Sequence, residues 1–285
     1  MKIVSISGSS GFVGSNLIKM FESMEYKVIQ ISRSTLQNKI DTLNIISQSD
    51  IVINLAGANI LAKWSEKYKK LLYSSRIETT KILMEAIKNS EKKPELFISA
   101  SAVGIYDNKN FHDENSKNYA NDFLATICKD WESEALKAKE MGIRTVIFRF
   151  GIILGNGGAL SKMLLPFSFG LGGQIGNGLQ PFPFIHIEDL KNAYLFAIKD
   201  KKLDGIFNLV APQIITNKEF TKTLGTTLHR PTFLSVPEFA IKILFGDGAT
   251  VLTNGQKVTP KRLLDSGFDF RFKTIKETLD NLINK

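Results

Sequence analysis

Ser7-Gly8-Ser9-Ser10-Gly11-Phe12-Val13-Gly14 decides the fold of this 285-residue chain. The stretch follows a short apolar run, Lys2–Ser7, and opens a helical pattern over Phe12–Met24. Gly8, Gly11 and Gly14 give the spacing G-x-x-G-x-x-G. Glycine at the first two positions permits a tight turn and lets backbone N–H groups approach a pyrophosphate, while the third lets helix pack closely on strand. The helix N-terminus favours the anion. Glycines at this spacing mark many ordinary turns. Here a strand precedes and a helix follows, as a dinucleotide-binding turn requires.

Working outward, short runs rich in Val, Ile and Phe alternate with longer helical patterns. Tyr26–Ser32, Asp50–Leu55, Leu96–Ser101 and Arg144–Phe150 read as buried strands, and Glu66–Asn89 and Phe123–Met141 as helices. Such alternation predicts an α/β fold, a Rossmann-type doubly wound parallel sheet covered on both faces. After about Gly155 the texture changes: Gly155–Gly158 and Gly170–Gly178 are glycine-dense, and Pro181-Phe182-Pro183 follows. One more helix (Glu188–Ile198), a strand (Ile206–Val210) and a mostly helical tail complete the pattern. The expected division is a nucleotide-binding domain over residues 1–165, to which 182–210 return, and a smaller, mostly helical C-terminal domain on the substrate side over 166–285.

The end of the second strand bears on which dinucleotide is bound. Folds selecting NAD usually carry an acid there, on the ribose 2′-hydroxyl. This chain has Ile31-Ser32-Arg33-Ser34 instead. A guanidinium clamps a 2′-phosphate through paired N–H groups, and no acid is present to repel it. NADP(H) is therefore the expected cofactor, against the plainer reading of Arg33 as an exposed strand-end arginine.

Composition removes several other functions. Cys128 is the single cysteine, which excludes an internal disulfide, and three scattered histidines (His112, His186, His229) make a metal site unexpected. The formal charge of +9 comes mostly from lysines spread along the chain in clusters mixed with acidic or polar residues, such as Lys63–Lys70 and Lys199–Lys202. That is the pattern of solvated helix faces, not of the concentrated stripe nucleic acid requires. With no signal peptide and no apolar run of membrane-spanning length, a soluble, cytoplasmic protein is expected.

The chain also resembles the extended short-chain dehydrogenases/reductases, the group that includes nucleotide-sugar epimerases. Asn54-Leu55-Ala56-Gly57 and Phe184-Ile185-His186-Ile187-Glu188-Asp189-Leu190 carry the general likeness. Ser99-Ala100-Ser101-Ala102-Val103-Gly104-Ile105-Tyr106, Arg149-Phe150-Gly151-Ile152-Ile153-Leu154-Gly155, Gly246-Asp247-Gly248-Ala249 and Gly267-Phe268-Asp269-Phe270 are similar to a subfamily of NAD(P)-dependent epimerases with a C-terminal domain of unknown function. The resemblance implies that Gly8, Ser10, Gly11, Phe12, Val13 and Gly14 meet the pyrophosphate, and Arg33 and Ser34 the 2′-phosphate. It further implies that Leu55, Ala56 and Gly57 line the adenosine path, that Phe150, Gly151 and Ile152 lie by the nicotinamide, and that Arg76 and Thr80 either touch the cofactor or pack behind it. A nucleotide-sugar substrate and a homodimer are expected on the same ground.

One part of the family pattern is missing. Its chemistry rests on a Ser/Thr and Tyr-x-x-x-Lys, in which tyrosinate is the acid/base and lysine lowers its pKa. The residues four beyond Tyr26, Tyr68, Tyr73, Tyr106, Tyr119 and Tyr194 are Gln30, Leu72, Ile77, Asn110, Phe123 and Ile198. None is lysine. On the helix Phe123–Met141, aligned on Trp131-Glu132, the tyrosine position is apolar or small. The remaining catalytic candidates are Ser101 at its strand end, Tyr106 five residues on, and Lys129 as a partial substitute for the lysine; each also reads as an ordinary structural residue. His186 reads as structural and Cys128 as buried packing. Two functions stay open: an NADP(H)-dependent epimerase or oxidoreductase with an unusual acid/base, and a non-catalytic NADP(H)-binding redox sensor.

Overall fold

A computed structural model describes residues 1–284. Six parallel strands form the central sheet: β1 (Ile3–Ser7), β2 (Lys27–Ile31), β3 (Ile51–Asn54), β4 (Leu96–Ala102), β5 (Arg144–Phe150) and β6 (Gly205–Leu209). Their spatial order is β6-β5-β4-β3-β1-β2. The chain winds outward from β1 to β2, then returns to place β3 on the other side of β1. That reversal makes the carboxyl ends of β1 and β3 the switch point, where open α/β sheets bind ligands.

The strands are apolar on both faces because both faces are covered. On one face Val4, Ile6, Ile53, Ile98 and Phe148 pack against α1 (Phe12–Ser23) and the helix Ile187–Lys199. On the other, Val52, Phe97 and Ile147 pack against Lys39–Gln48, α2 (Glu66–Asn89) and α3 (Phe123–Glu140). Side chains fix where the helices begin: Ser65 accepts the Tyr68 amide, and Asp122 the Ala125 amide. His186 is buried and caps Ile187–Lys199, its Nδ1 accepting the Glu188 amide at 2.9 Å.

A second core lies beyond the sheet, where Phe182 and Phe220 stack and Leu160, Leu224, Ile275 and Leu279 close around them. It joins the helices Gly158–Ser168, Asn217–Thr227 and Ile275–Ile283. From the C-terminal region Leu263, Phe268 and Phe270 also enter the sheet core, and Arg262 donates to the Ile206 and Asp204 carbonyls at 2.6 and 2.9 Å. Among the features not anticipated are the helices Arg33–Gln37 and Lys39–Gln48, the helix Gly158–Ser168 despite Pro166, and a short parallel ladder between Leu234–Val236 and Gly173–Ile175.

Candidate nucleotide and substrate cavity

The first turn is built around glycine because nothing larger fits. Gly8 has φ +70°, and a Cβ there would sit 2.6 Å from the Leu55 carbonyl group. A Cβ on Gly14 would sit 2.4 Å from the Gly8 oxygen. Behind the turn Ser7 Oγ donates to Asn54 Oδ1 (2.7 Å), Asn54 Nδ2 to Thr80 Oγ1 (2.8 Å), and Thr80 Oγ1 to the Arg76 carbonyl (2.7 Å). Thr80 thus ties α2 to the two loops, fully buried. Gly11 caps α1 with no side-chain hydrogen bond, and no acid stands in the first turn. Its leading N–H groups remain available to an anion.

This turn opens into a cavity of about 470 Å³ that runs along the carboxyl ends of the strands. Gly8, Gly11, Phe12, Val13 and Gly14 form its wall at one end, with Leu55, Gly57 and Arg76 beside them. Phe150, Gly151 and Ile152 lie in the wall as well, as does Ser101. Gly151 is wedged between strands: a Cβ would meet the Pro183 oxygen at 2.7 Å. The glycines at 155, 157 and 158 make room for the Phe12 ring, which would stand 2.7–3.0 Å from a Cβ at any of them.

Other candidates stand outside that wall. Ser10 is exposed at the tip of the turn, and Ala56 is half-buried in the loop after β3 without lining the cavity. Arg33 and Ser34 are exposed at the start of Arg33–Gln37, where Ser32 Oγ caps the Thr35 amide. Because Ser7 pairs with Ile31, Arg33 stands at the same sheet edge as the glycine turn. Arg33 has no carboxylate partner among the described residues. Arg76 donates to the Leu72 and Ala58 carbonyls (3.0 and 3.1 Å) and lies 5.3 Å from the Trp131 ring centroid. Burial lowers its pKa, and no carboxylate neutralises it among the described residues. A desolvated, unpaired guanidinium in a cavity wall is suited to an anionic group.

Ser101 sits at the front of a buried polar chain. Its hydroxyl donates to Glu132 Oε1 at 2.6 Å, and Arg149 grips the same carboxylate through Nε (2.7 Å) and Nη2 (2.6 Å). Arg149 Nη1 donates to the Tyr106 hydroxyl at 2.6 Å, and that hydroxyl lies 3.0 Å from Asn208 Oδ1. Burial opposes the Arg149 charge, but its bonds to the Glu132 carboxylate and the attraction between them outweigh it and raise the pKa. Tyr106 is fully buried behind the cavity, its pKa pushed up to about 12 by burial. The structure therefore does not bring the Tyr106 hydroxyl into the cavity wall: it is buried and held by Arg149 and Asn208. Lys129 is not brought there either: it is exposed and donates to the Ala120 carbonyl at 3.0 Å beside the Tyr119 ring.

The stripe of α3 that faces the cavity is Leu124, Ile127, Cys128 and Trp131. Leu124 and Cys128 are an i, i+4 pair, the spacing a tyrosine and lysine would need, and neither can do their work. Burial pushes the Cys128 thiol up to about 12. Glu132 and Arg149 were not singled out from the sequence. Their signal is a charged side chain in an otherwise apolar strand, Arg144–Phe150, which calls for a buried counter-charge. Among the described residues no group of three or more His, Cys, Asp or Glu side chains could hold a metal, and no helix is long and apolar enough to cross a membrane.

A parallel doubly wound sheet, a glycine turn at its switch point and a cavity along its carboxyl edge define a dinucleotide-binding α/β protein. The chain belongs to the NAD-dependent epimerase/dehydratase family, whose model matches residues 4–209, and a domain of unknown function, DUF1731, matches 236–282. It is 36% identical to the chloroplastic epimerase family protein SDR39U1 homolog of Arabidopsis thaliana, over 97% of this chain and 85% of that one. It is equally 36% identical to the epimerase family protein YfhF of Bacillus subtilis, over 98% and 97%. The crystal structure of human epimerase family protein SDR39U1 with NADPH superposes with a TM-score of 0.89 at 32% identity, covering 99% of both chains.

Proposed function

We propose that this chain binds NADP(H) along the cavity and serves hydride transfer to or from a small molecule held beyond Ser101, without a tyrosine–lysine pair. The observation that carries the reading is the uncapped start of α1, opening between Gly8 and Gly14 into a cavity that continues past Ser101. In this reading the turn residues Gly8, Ser10, Gly11, Phe12, Val13 and Gly14 hold the pyrophosphate through backbone N–H groups. Arg33, with Ser34, holds the 2′-phosphate, which selects NADP(H) over NAD(H). Arg76 supplies a second positive charge behind Gly57, and Leu55 and Ala56 shape the adenosine side. Phe150, Gly151 and Ile152 support the nicotinamide. When bound, that ring supplies the hydride donor or acceptor. NADPH in the human relative's structure supports this cofactor.

Ser101 lies in the cavity wall, and its own proton is committed to Glu132. The apolar stripe on α3 favours a second reading, in which the cofactor is held and sensed without turnover. Fluorescence titration with NADPH and NADH tests the binding claim, which fails if Arg33→Ala changes neither affinity. Deuteride transfer from 4-deuterated NADPH into any member of a panel of carbonyl compounds supports the enzyme. Tight binding with no deuterium transfer to any of them supports the sensor. The homodimer belongs to the same proposal and is read by analytical ultracentrifugation.

A further inference from the structure

The far half of the cavity has a wall whose chemistry does not match a sugar diphosphate. Arg76 and Asp122 are the two charged side chains in the whole wall among the described residues. Arg76 stands at Gly57, on the glycine-turn side, and Asp122 is spent capping α3 through the Ala125 amide. Away from the glycine turn the wall is largely hydrocarbon: Leu124 and Ile127 from α3, and Ile60 and Leu61 from the loop after β3. Met163 and Phe182 come from the second core, and Val251 and Leu252 from the C-terminal region. The polar side chains between them hold the wall together. Gln180 donates to the Ile175 and Leu252 carbonyls, Asn217 accepts the Ile175 amide, and Thr250 donates to the Asp247 carbonyl. The uncommitted amide groups in the wall among the described residues are those of Asn254 and Gln256, with Asn217 Nδ2 and Gln180 Oε1.

A nucleoside diphosphate sugar would bring two phosphate charges and several hydroxyls to this surface. Burying charge without a counter-ion, or hydroxyls without partners, costs several kcal/mol. Ser101 narrows the choice further. Its hydroxyl donates to the Glu132 carboxylate that Arg149 grips, so toward the cavity it presents lone pairs alone. It can accept a hydrogen bond from a ligand hydroxyl and cannot give one to a ligand carbonyl.

Resting on the NADP(H) reading, we infer that this half of the site takes a neutral, largely hydrocarbon alcohol whose O–H donates to Ser101, and not a sugar nucleotide. The test is tryptophan fluorescence of the whole protein, since Trp131 lies in the cavity wall, titrated with 2-hexanol, 2-octanol and 2-decanol with and without NADP⁺. The expected result is saturable binding that tightens about fourfold per added CH₂, the fold-change equivalent to about 0.8 kcal/mol. UDP-glucose and UDP-glucuronic acid in large excess compete for none of it. Leu252→Lys weakens 2-decanol at least tenfold, with NADPH titration as the control for folding. Saturable displacement by either UDP-sugar, alkanol affinity independent of chain length, or 2-decanol affinity indifferent to Leu252→Lys overturns the inference. If alkanols bind as stated but NADPH does not, the NADP(H) reading falls and the ligand class stands.

Discussion

The two ends of the cavity are made of different material. At the glycine turn the wall is backbone: Gly8, Gly11 and Gly14 leave space that a single carbon would fill, and the helix start offers bare N–H groups. Beyond Ser101 the wall is side chain, assembled from Ile60, Leu124, Met163 and Leu252 on four separate segments. A backbone site recognises the invariant part of a ligand and tolerates almost no substitution. A side-chain site can be rebuilt residue by residue, so one cofactor turn can serve many substrates.

The largest effect is expected where both ends share a foundation. Glu132→Gln leaves the Arg149 guanidinium buried with a neutral partner, and urea unfolding should show a loss of about 3–5 kcal/mol. A loss under about 1 kcal/mol would mean that the Ser101–Glu132–Arg149 chain does not brace the wall. Next comes the backbone end alone. Gly8→Ala places a Cβ 2.6 Å from the Leu55 carbonyl at φ +70° and should weaken NADPH and NADH alike, by about a hundredfold, from strain of roughly 3 kcal/mol. Leu61→Ala, at the other end, should leave dinucleotide affinity within about twofold, as substitutions away from a binding contact usually do. Equal losses in these two variants would erase the distinction between the ends.

Arg33→Ala should act more narrowly. NADPH affinity falls about tenfold to a hundredfold, the worth of a charge-assisted hydrogen bond, and NADH affinity does not move. The smallest effect lies outside the cavity altogether. Asp107 caps the turn at Lys109 and Asn110, and the amide bond from Asn110 leads in lowering its pKa to about 2. A carboxyl lowered on folding stabilises the folded state above its unfolded pKa and loses that contribution as pH falls toward 2. In Asp107→Asn the decline of thermal stability between about pH 4 and 2 should be shallower, with NADPH binding at neutral pH unchanged.

The same contrast explains what could be read from the residues. The glycine turn and all six strands of the central sheet were legible within a residue or two, because local spacing and β-branched runs dictate them. Lys39–Gln48 was not: its run of Asp, Thr, Asn, Ser and Gln presents a weak apolar face, and Ile46 and Thr42 are its buried residues. Gly158–Ser168 opens on two positive-φ glycines and contains Pro166, which read as loop. In the site, loss of the Tyr-x-x-x-Lys pair could be seen in the order of residues. Where the remaining hydroxyls point could not. Tyr106 is turned away by Arg149, 43 residues along the chain, and Ser101 by Glu132, 31 residues along. Such pairings exist only once helix and strand are packed.

The docking of Leu263, Phe268 and Phe270 over β6 also has a consequence for biosynthesis. Strand β6 ends at Leu209, yet Phe207 receives its cover from the Arg262 guanidinium, 4.3 Å from the ring centroid, and from the side chains that follow it. During translation the edge of the sheet must wait, bare, for more than fifty further residues to leave the ribosome. That interval is when an unpaired, apolar strand is most open to misassociation, and when a chaperone would have its strongest claim on the nascent chain.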